Sequence, residues 1–391
     1  MSNSERGISM RKIGREVCMI KSGEHNPRNG EGSFIRLRDG GVMLAFTEYY
    51  GESGSDDAIA RLSAIVSYDE GETWSDRFLL LEKDEGARNI MSASLLRMGN
   101  GDLGVCYLRK AEVSEDAIIC MPVFRRSSDE GKTWSDFVPC TDEEGYYCPF
   151  NGTAVTLKSG RIVYPVSHNC GRYNIRKWRP ENLPECGAYV ALLYSDDDGK
   201  TWSRYEHTFA SPYKDTIGFT EPGLYEHENG DLWVWFRTCY GFQYHSRSSD
   251  GGRTWTPVMP NFFFSSPDSP MQAARACGVT AAVFNPVPYH TGITGREEWG
   301  SAKRTPLVCA VSRSDGLDYA GLDLRSADGA LRELEKQVYC IEADPDDSYC
   351  YPAIFDGGEY MLVSYYHSFG TPRCLNCTKV VKILRSELTG E

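Results

Sequence analysis

Short apolar runs, each broken by a Gly-containing turn, recur along this chain: FIRLRDGGVMLAF (34–46), ASLLRMGNGDLGVCYL (93–108), TAVTLKSGRIVYPV (153–166), GLYEHENGDLWVWF (223–236) and AIFDGGEYMLVSYY (353–366). The residues flanking each turn alternate or stay apolar over a strand's length, so each unit predicts a β-hairpin. A weaker stretch, 273–288, fills the remaining position in the series. Helix-period segments are scarce, and 323–336 (DLRSADGALRELEK) is the best candidate for a short helix.

A second repeat runs out of phase with the hairpins. Its pattern is Ser67-x-Asp69-x-Gly71-x-Thr73-Trp74, with further copies beginning at Ser127, Ser195 and Ser248 and a worn fifth copy, SRSDGLDY, from Ser312 to Tyr319. Ser and Asp oxygens accept hydrogen bonds from nearby backbone N–H groups, Gly supplies a positive φ, and Trp offers a large apolar body. Each phrase is therefore a turn staple and not an active site. Alternating staples with hairpins makes four strands per unit and six units. Self-similarity at such a period marks a repeat architecture, and four-stranded sheets set radially leave only short, protected edges. The expected fold is all-β, a six-bladed β-propeller of four-stranded antiparallel blades over residues 24–391, preceded by an N-terminal lead over 1–23.

Composition narrows the partners. With 42 Lys and Arg against 55 Asp and Glu, the formal net charge is -13. This disfavours nucleic-acid backbones and acidic membranes, and any anionic ligand has to be met by a local Arg cluster. No apolar run reaches the length of a membrane span, and residues 1–23 lack the apolar core of a secretory signal, so a cytoplasmic location is expected. The 14 Cys are scattered through strand segments (Cys106, Cys120, Cys239, Cys309) as core residues are, and stay thiols in a reducing compartment. Cys374-x-x-Cys377 has no second pair at zinc spacing, and the seven His show no HExxH grouping. Neither a metal nor another cofactor is expected.

Staples of the form S-x-D-x-G-x-T-W in an all-β chain of six units resemble the Asp-box propellers of the sialidase superfamily, and the resemblance covers about residues 28 to 385. It implies Asp boxes on the face opposite the active site. It also implies an Asp acid/base in the first unit, a Tyr nucleophile helped by a Glu, and three Arg that hold a substrate carboxylate. Sialidases are an exception to the two-carboxylate rule of glycosidases. The anomeric carbon of a sialic acid carries a carboxylate that repels an anionic nucleophile, and a neutral Tyr deprotonated by Glu avoids the repulsion.

Carried onto this sequence, the resemblance selects particular residues. Glu221, in Phe219-Thr220-Glu221-Pro222, and Arg237, sixteen residues later, sit near one end of a hairpin whose turn is Asn229-Gly230, like the family's Glu and second Arg. Arg304, before the worn box, resembles the third Arg. Tyr351, at a strand start leading to Tyr365-Tyr366, resembles the nucleophile, with Tyr349 two residues away as the alternative. The acid is Asp56 or Asp57, at the end of the Gly51–Gly54 loop; two adjacent carboxylates raise one pKa and keep a proton available.

One departure stands out. The family's Arg-Ile-Pro motif, which begins the clamp, would place its Arg at Gly30 or Glu31. Arg28 lies two or three residues away and could reach the same space; alternatively Glu31 lines the pocket, repels a carboxylate and accepts sugar hydroxyls. Asn89, Ser92, Arg109, Asn151, His168, and Gln243 with Tyr244 stand at strand starts or ends in successive units and are further candidates for the mouth. The implied activity is a retaining, exo-acting glycoside hydrolase that removes a terminal acidic sugar, sialic acid or a related one, from small glycans. The alternatives are a propeller that binds carbohydrate without cleaving it, or a polysaccharide lyase.

Overall fold

The computed structural model describes residues 10–115, 117–169, 174–175, 187–213, 217–287, 304–316, 319, 338–369 and 375–390. The helix expected over 323–336 and Cys374 of the Cys-x-x-Cys pair lie outside them. Among the described residues the chain is β-rich, with one five-residue helix at Arg385–Thr389.

Every hairpin read from the sequence is present. In the first set of strands, Arg28–Arg36 pairs antiparallel with Val42–Tyr49, which pairs with Ala60–Ser67 and then Phe78–Leu81. The next set, Asn89–Arg97, Leu103–Ser114, Ala117–Ser127 and Val138–Pro139, repeats the order. These two sets join through a single parallel pair, Ala60 with Asn89, and the two-residue strand Asn174–Ile175, paired to Ala117–Ser127, makes the joined sheet nine-stranded. The third set is built on Ile162–His168, Tyr189–Ser195 and Ser203–Ala210, with the short strands Tyr147–Cys148 and Val155–Thr156 at its inner edge. Thr220–Glu226 to Met259–Ser265 and Gln272–Ala276 to Val338–Glu342 each form a four-stranded antiparallel sheet. The architecture is an all-β propeller of antiparallel four-stranded sheets.

The last sheet runs Ser348–Asp356, Tyr360–Ser368, Cys377–Leu384, and its outermost strand is Arg15–Ile20. That strand falls within the segment expected to be a lead. Its backbone hydrogen-bonds to Cys377–Leu384 and covers an otherwise open edge, joining the two ends of the chain in one sheet.

The innermost strands meet around an axis. Arg28–Arg36 packs against Asn89–Arg97 on one side and Ser348–Asp356 on the other, and Gln272–Ala276 packs against both Ser348–Asp356 and Thr220–Glu226. Apolar clusters fill the wedges between neighbouring sheets: Phe34, Leu44 and Phe46 pack with Phe355, Leu362 and Val380 across the closing seam, and Val163, Val190 and Phe209 pack with Leu224, Val234 and Phe236.

The Asp boxes staple turns, as their residues dictate. Ser67 Oγ donates to Asp69 Oδ1 at 2.8 Å and accepts from Gly71 N at 2.8 Å, while Asp69 accepts from Thr73 N and Thr73 Oγ1 at 2.8 and 2.6 Å. The boxes at Ser127, Ser195 and Ser248 repeat this network. Their Trp rings seal seams: Trp202 lies edge-on to Phe124 at 5.4 Å and Trp255 to Phe209 at 5.0 Å. In the worn copy Gly316 N still donates to Ser312 Oγ, at 2.8 Å.

Candidate active site

The site grows from a backbone irregularity repeated around the axis. Pairing of the innermost strands slips between Gly30 and Ser33, Met91 and Ser94, Thr220 and Gly223, and Cys350 and Ala353. Within each slip one non-glycine residue adopts a positive φ: Glu31 at 56°, Ser92 at 56°, Glu221 at 43° and Tyr351 at 56°. A bulge of this kind re-aims a side chain, and such a conformation costs about 1–3 kcal/mol per residue. Four residues bear that strain at equivalent places. In the third set pairing of the inner edge is interrupted between Cys148 and Val155, and there the positive φ, 66°, belongs to Gly152.

The bulges bring distant residues together. Tyr351 donates its hydroxyl to Glu221 Oε1 at 2.5 Å. Arg237 donates from Nη1 to Glu221 Oε2 at 2.5 Å and to the Tyr351 hydroxyl at 3.2 Å, and from Nε to Asp268 Oδ1 at 2.8 Å. The hairpin reading holds here, since Thr220 and Arg237 are register partners. Arg304 lies over the Tyr351 ring at 5.7 Å, with Nη1 on Cys350 Sγ at 3.2 Å and Nη2 on the Asp268 carbonyl at 3.0 Å. Phe150 flanks Tyr351 at 5.8 Å and Tyr366 stands edge-on to it at 5.7 Å. Burial pushes the Tyr351 hydroxyl well above the usual phenol range and Glu221 adds to the rise, while Arg237 and Arg304 oppose it. Tyr351 therefore rests as a neutral phenol with its proton on the line to a carboxylate.

A second group adjoins the first. Arg28 Nε donates to the Tyr366 hydroxyl at 2.8 Å, Nη1 to Asp56 Oδ1 at 2.6 Å and to the Gly54 carbonyl at 3.2 Å, and Nη2 to Glu31 Oε1 at 2.9 Å. Its guanidinium lies between the rings of Tyr49 and Tyr366, at 4.6 and 5.2 Å. Ser92 Oγ donates to Glu31 Oε2 at 2.5 Å. Burial raises the Glu31 pKa even though Arg28 and Ser92 stabilise its charge. Asp56 is the opposite case: Arg28 is the main cause that holds its carboxyl at about 2. Gly30 is needed here, because a Cβ on it would overlap the Tyr366 ring.

The two Asp candidates are separated by geometry. Asp56 faces Arg28 and the cluster, whereas Asp57 Oδ1 accepts from Lys110 Nζ at 3.3 Å. Their loop is pinned to the neighbouring strands: Lys110 Nζ donates to the Asp56 carbonyl at 2.7 Å, Arg88 Nε to the Asp57 carbonyl at 2.5 Å, and Asn89 Nδ2 to the Ala58 carbonyl at 2.5 Å.

Other candidates serve elsewhere. Tyr349 is buried against Tyr365 and His367, its hydroxyl 3.4 Å from Asp347, and is not directed at Glu221. His168 stacks on Tyr147 and pairs through Nδ1 with the Tyr189 hydroxyl at 2.8 Å, in the third sheet's own packing. Arg109 binds Asp84 and lies over Phe137. Gln243 Nε2 donates to Ser266 Oγ and the Ser269 carbonyl at 3.1 and 2.7 Å, tying down the turn that carries Asp268, and Tyr244 packs among Phe219 and Tyr240. Asn151 donates to the Gly32 carbonyl at 2.7 Å and braces the first bulge. Sequence reasoning missed Asp268, Lys110 and Phe150. The turn Ser266-Pro267-Asp268-Ser269-Pro270 between two sheets was the available signal for Asp268.

Comparison with known proteins agrees with the fold. The family described as BNR repeat-like domain matches residues 110–363. A protein named sialidase from Paraclostridium sordellii is 24% identical over 190 residues, which is 42% of this chain and 43% of that protein. The chain thus spans less than half the length of this curated relative. A Dyadobacter fermentans protein of unknown function superposes with TM-score 0.67 at 19% identity, over 95% of this chain and 99% of the other. The Trypanosoma rangeli sialidase superposes with TM-score 0.63 at 16% identity, over 97% of this chain and 60% of its own.

Proposed function

Because the chain belongs to the family of BNR repeat-like domains, within the sialidase superfamily of propellers, we propose that it is a retaining, exo-acting glycoside hydrolase working through a Tyr nucleophile. The observation that carries this reading is the 2.5 Å hydrogen bond from Tyr351 to Glu221, with Arg237 on both partners. Counting the nine-stranded sheet as two blades, joined by one residue pair, supports a six-bladed reading. On that reading Glu31, Ser92, Glu221 and Tyr351, each on the bulge of an innermost strand, share a single mouth.

In the first step Glu221 takes the Tyr351 proton as the phenolic oxygen attacks the anomeric carbon, and the bond to the leaving oxygen breaks. Asp56 supplies the proton that oxygen needs. In the second step Asp56, now a carboxylate, takes a proton from water that attacks the same carbon, and the Tyr351 oxygen leaves and recovers its proton from Glu221. Two displacements retain the configuration. Asp56 is held ionised by Arg28 in the free protein, so a bound sugar has to loosen that pair and Asp56 has to take up a proton from solvent before it can act as the acid. The three Arg support the expectation of an acidic sugar only as far as their donors are free. Arg28 and Arg237 each already hold two carboxylates, and Arg304 is bound to none.

A mechanism-based fluorinated glycosyl fluoride, followed by peptide mass spectrometry, tests this reading. The label is expected on Tyr351 and absent from Tyr351→Phe, which also loses turnover of aryl glycosides. Full turnover by Tyr351→Phe would refute the nucleophile, and an unsaturated product absorbing in the ultraviolet would mark a lyase.

A further inference from the structure

We propose that this pocket selects a neutral, hydroxyl-bearing sugar over one with a carboxylate at its anomeric carbon, and that Glu31 is the residue that sets this preference. The inference rests on the glycosidase reading above and names its substrate class.

The argument begins with the guanidinium donors. A sugar carboxylate is best held by a forked pair of N–H groups presented together. Arg28 cannot present one: its Nε is on Tyr366, its Nη1 on Asp56 and Gly54, its Nη2 on Glu31, and its faces are covered by Tyr49 and Tyr366. Only 4% of the residue is exposed. Arg237 is committed through Nε and Nη1 to Asp268, Glu221 and Tyr351. Arg304 pairs with no carboxylate among the described residues, and one N–H of each terminal nitrogen already donates, to Cys350 Sγ and to the Asp268 carbonyl.

Charge points the same way. Around Tyr351 the three guanidiniums of Arg28, Arg237 and Arg304 face four carboxylates, Glu31, Asp56, Glu221 and Asp268. Asp56 stands at the exposed rim, and a fifth carboxylate passing it toward the enclosed Glu31, Glu221 and Asp268 would meet like charge where water screens it poorly. To bind Arg28 through both terminal nitrogens it would have to displace Glu31 from Nη2 as well as Asp56 from Nη1, and the first bulge and Ser92 fix Glu31 in place.

Hydroxyl groups meet no such barrier. An ionised Glu31 is acceptor-only and has lone pairs beyond those used by Arg28 and Ser92. Phe150 and Tyr366 add aromatic faces beside Tyr351 for the apolar side of a sugar ring. Glu31 is one of the two positions, Gly30 or Glu31, at which the resemblance places an Arg, so the first blade presents an acceptor where the clamp would begin.

The decisive measurement is calorimetric binding of 2-deoxy-2,3-didehydro-N-acetylneuraminic acid, a carboxylate-bearing ring, to the wild-type chain and to Glu31→Gln. The substitution keeps shape and removes one negative charge. Binding is expected to strengthen at least tenfold in Glu31→Gln. Equal affinity, weaker binding by the variant, or no binding by either form overturns the proposal.

A measurement on the wild type alone guards against a variant that does not fold. In a panel of methylumbelliferyl glycosides, neutral hexosides and deoxyhexosides are expected to outpace the α-sialoside and the uronides. If the sialoside is the best substrate and its turnover disappears in Tyr351→Phe, the substrate class is wrong and the hydrolase reading stands. If Tyr351→Phe leaves every turnover unchanged, the nucleophile assignment fails while the substrate ranking stands on its own; if the wild type turns over none of the glycosides, the hydrolase reading fails and the substrate class falls with it.

Discussion

Tyr351 donates its hydroxyl to Glu221 at 2.5 Å although 130 positions separate them along the chain. Both sit on bulges of innermost strands with positive φ, and Arg237 bridges them. The pair gives the buried Tyr351 proton an acceptor at hydrogen-bond distance, while burial and then the Glu221 charge raise the phenol's pKa and Arg237 and Arg304 oppose the rise.

Replacing Glu221 by Gln removes the proton acceptor while keeping its size. Turnover is expected to fall by roughly 10²–10⁴, with the circular dichroism spectrum and melting temperature near wild type. Rates of aryl release at several pH values check this. A variant with unchanged kcat would show that the hydrogen bond is structural.

Asp56→Asn separates acid catalysis from the rest of the mechanism. Alkyl glycosides, whose leaving oxygen needs a proton, are expected to lose up to about 10⁴ in kcat/KM, and nitrophenyl glycosides far less. Equal losses for both leaving groups would count against Asp56 as the acid.

The same residue shapes acid stability. Arg28 holds the Asp56 pKa at about 2, below its ordinary value. The ion pair's contribution is therefore fully present above the unfolded-state pKa of about 4 and is lost as pH falls toward 2. Chemical denaturation as a function of pH should show a flatter acid limb for Asp56→Asn than for wild type; parallel limbs would contradict the pairing.

Asp268 is a positioning residue, acting through Arg237. Asp268→Asn frees the guanidinium to swing away from Tyr351 and is expected to lower kcat roughly a hundredfold, with the alkaline limb of the pH–rate profile displaced as the Tyr351 proton is held differently. A purely structural role would lower the melting temperature and leave that limb in place.

The Asp boxes belong to stability. Ser67 is buried, bonded to Asp69 and Gly71, so Ser67→Ala should cost about 1–2 kcal/mol in denaturant unfolding. Kinetic constants should hold, because Ser67 lies seven strand positions from Ala60 at the site end, or about 23 Å. A change in kcat without a change in stability would place the boxes in the chemistry.

The hairpins, staples and propeller class were legible because their determinants are local. A two-residue period, a Gly at a turn and a Ser–Asp–Thr network act within about ten residues, so they survive as strings. Glu221 and Arg237 were legible for the same reason, since Arg237 is the register partner of Thr220, next to Glu221 on the same hairpin. Arg28 was legible as a residue but not as a role: its contacts with Asp56, Tyr366 and Glu31 show it to be a partner of carboxylates. Lys110 carried no pattern and Asp268 only a turn flanked by Pro267 and Pro270, since each acts on a residue of another strand or loop.

From the sequence alone followed the repeat, the strand and turn chemistry, and the residue types at the mouth. Closure of the ring decided the rest: which bulge faces which, that Asp56 and not Asp57 meets Arg28, that Tyr351 and not Tyr349 meets Glu221, and that Arg15–Ile20 completes the last sheet. Hydrogen-bond register is set between neighbouring strands and can be read along the chain. Contacts across the axis depend on the accumulated angles of all the sheets, and no short stretch of residues encodes that sum.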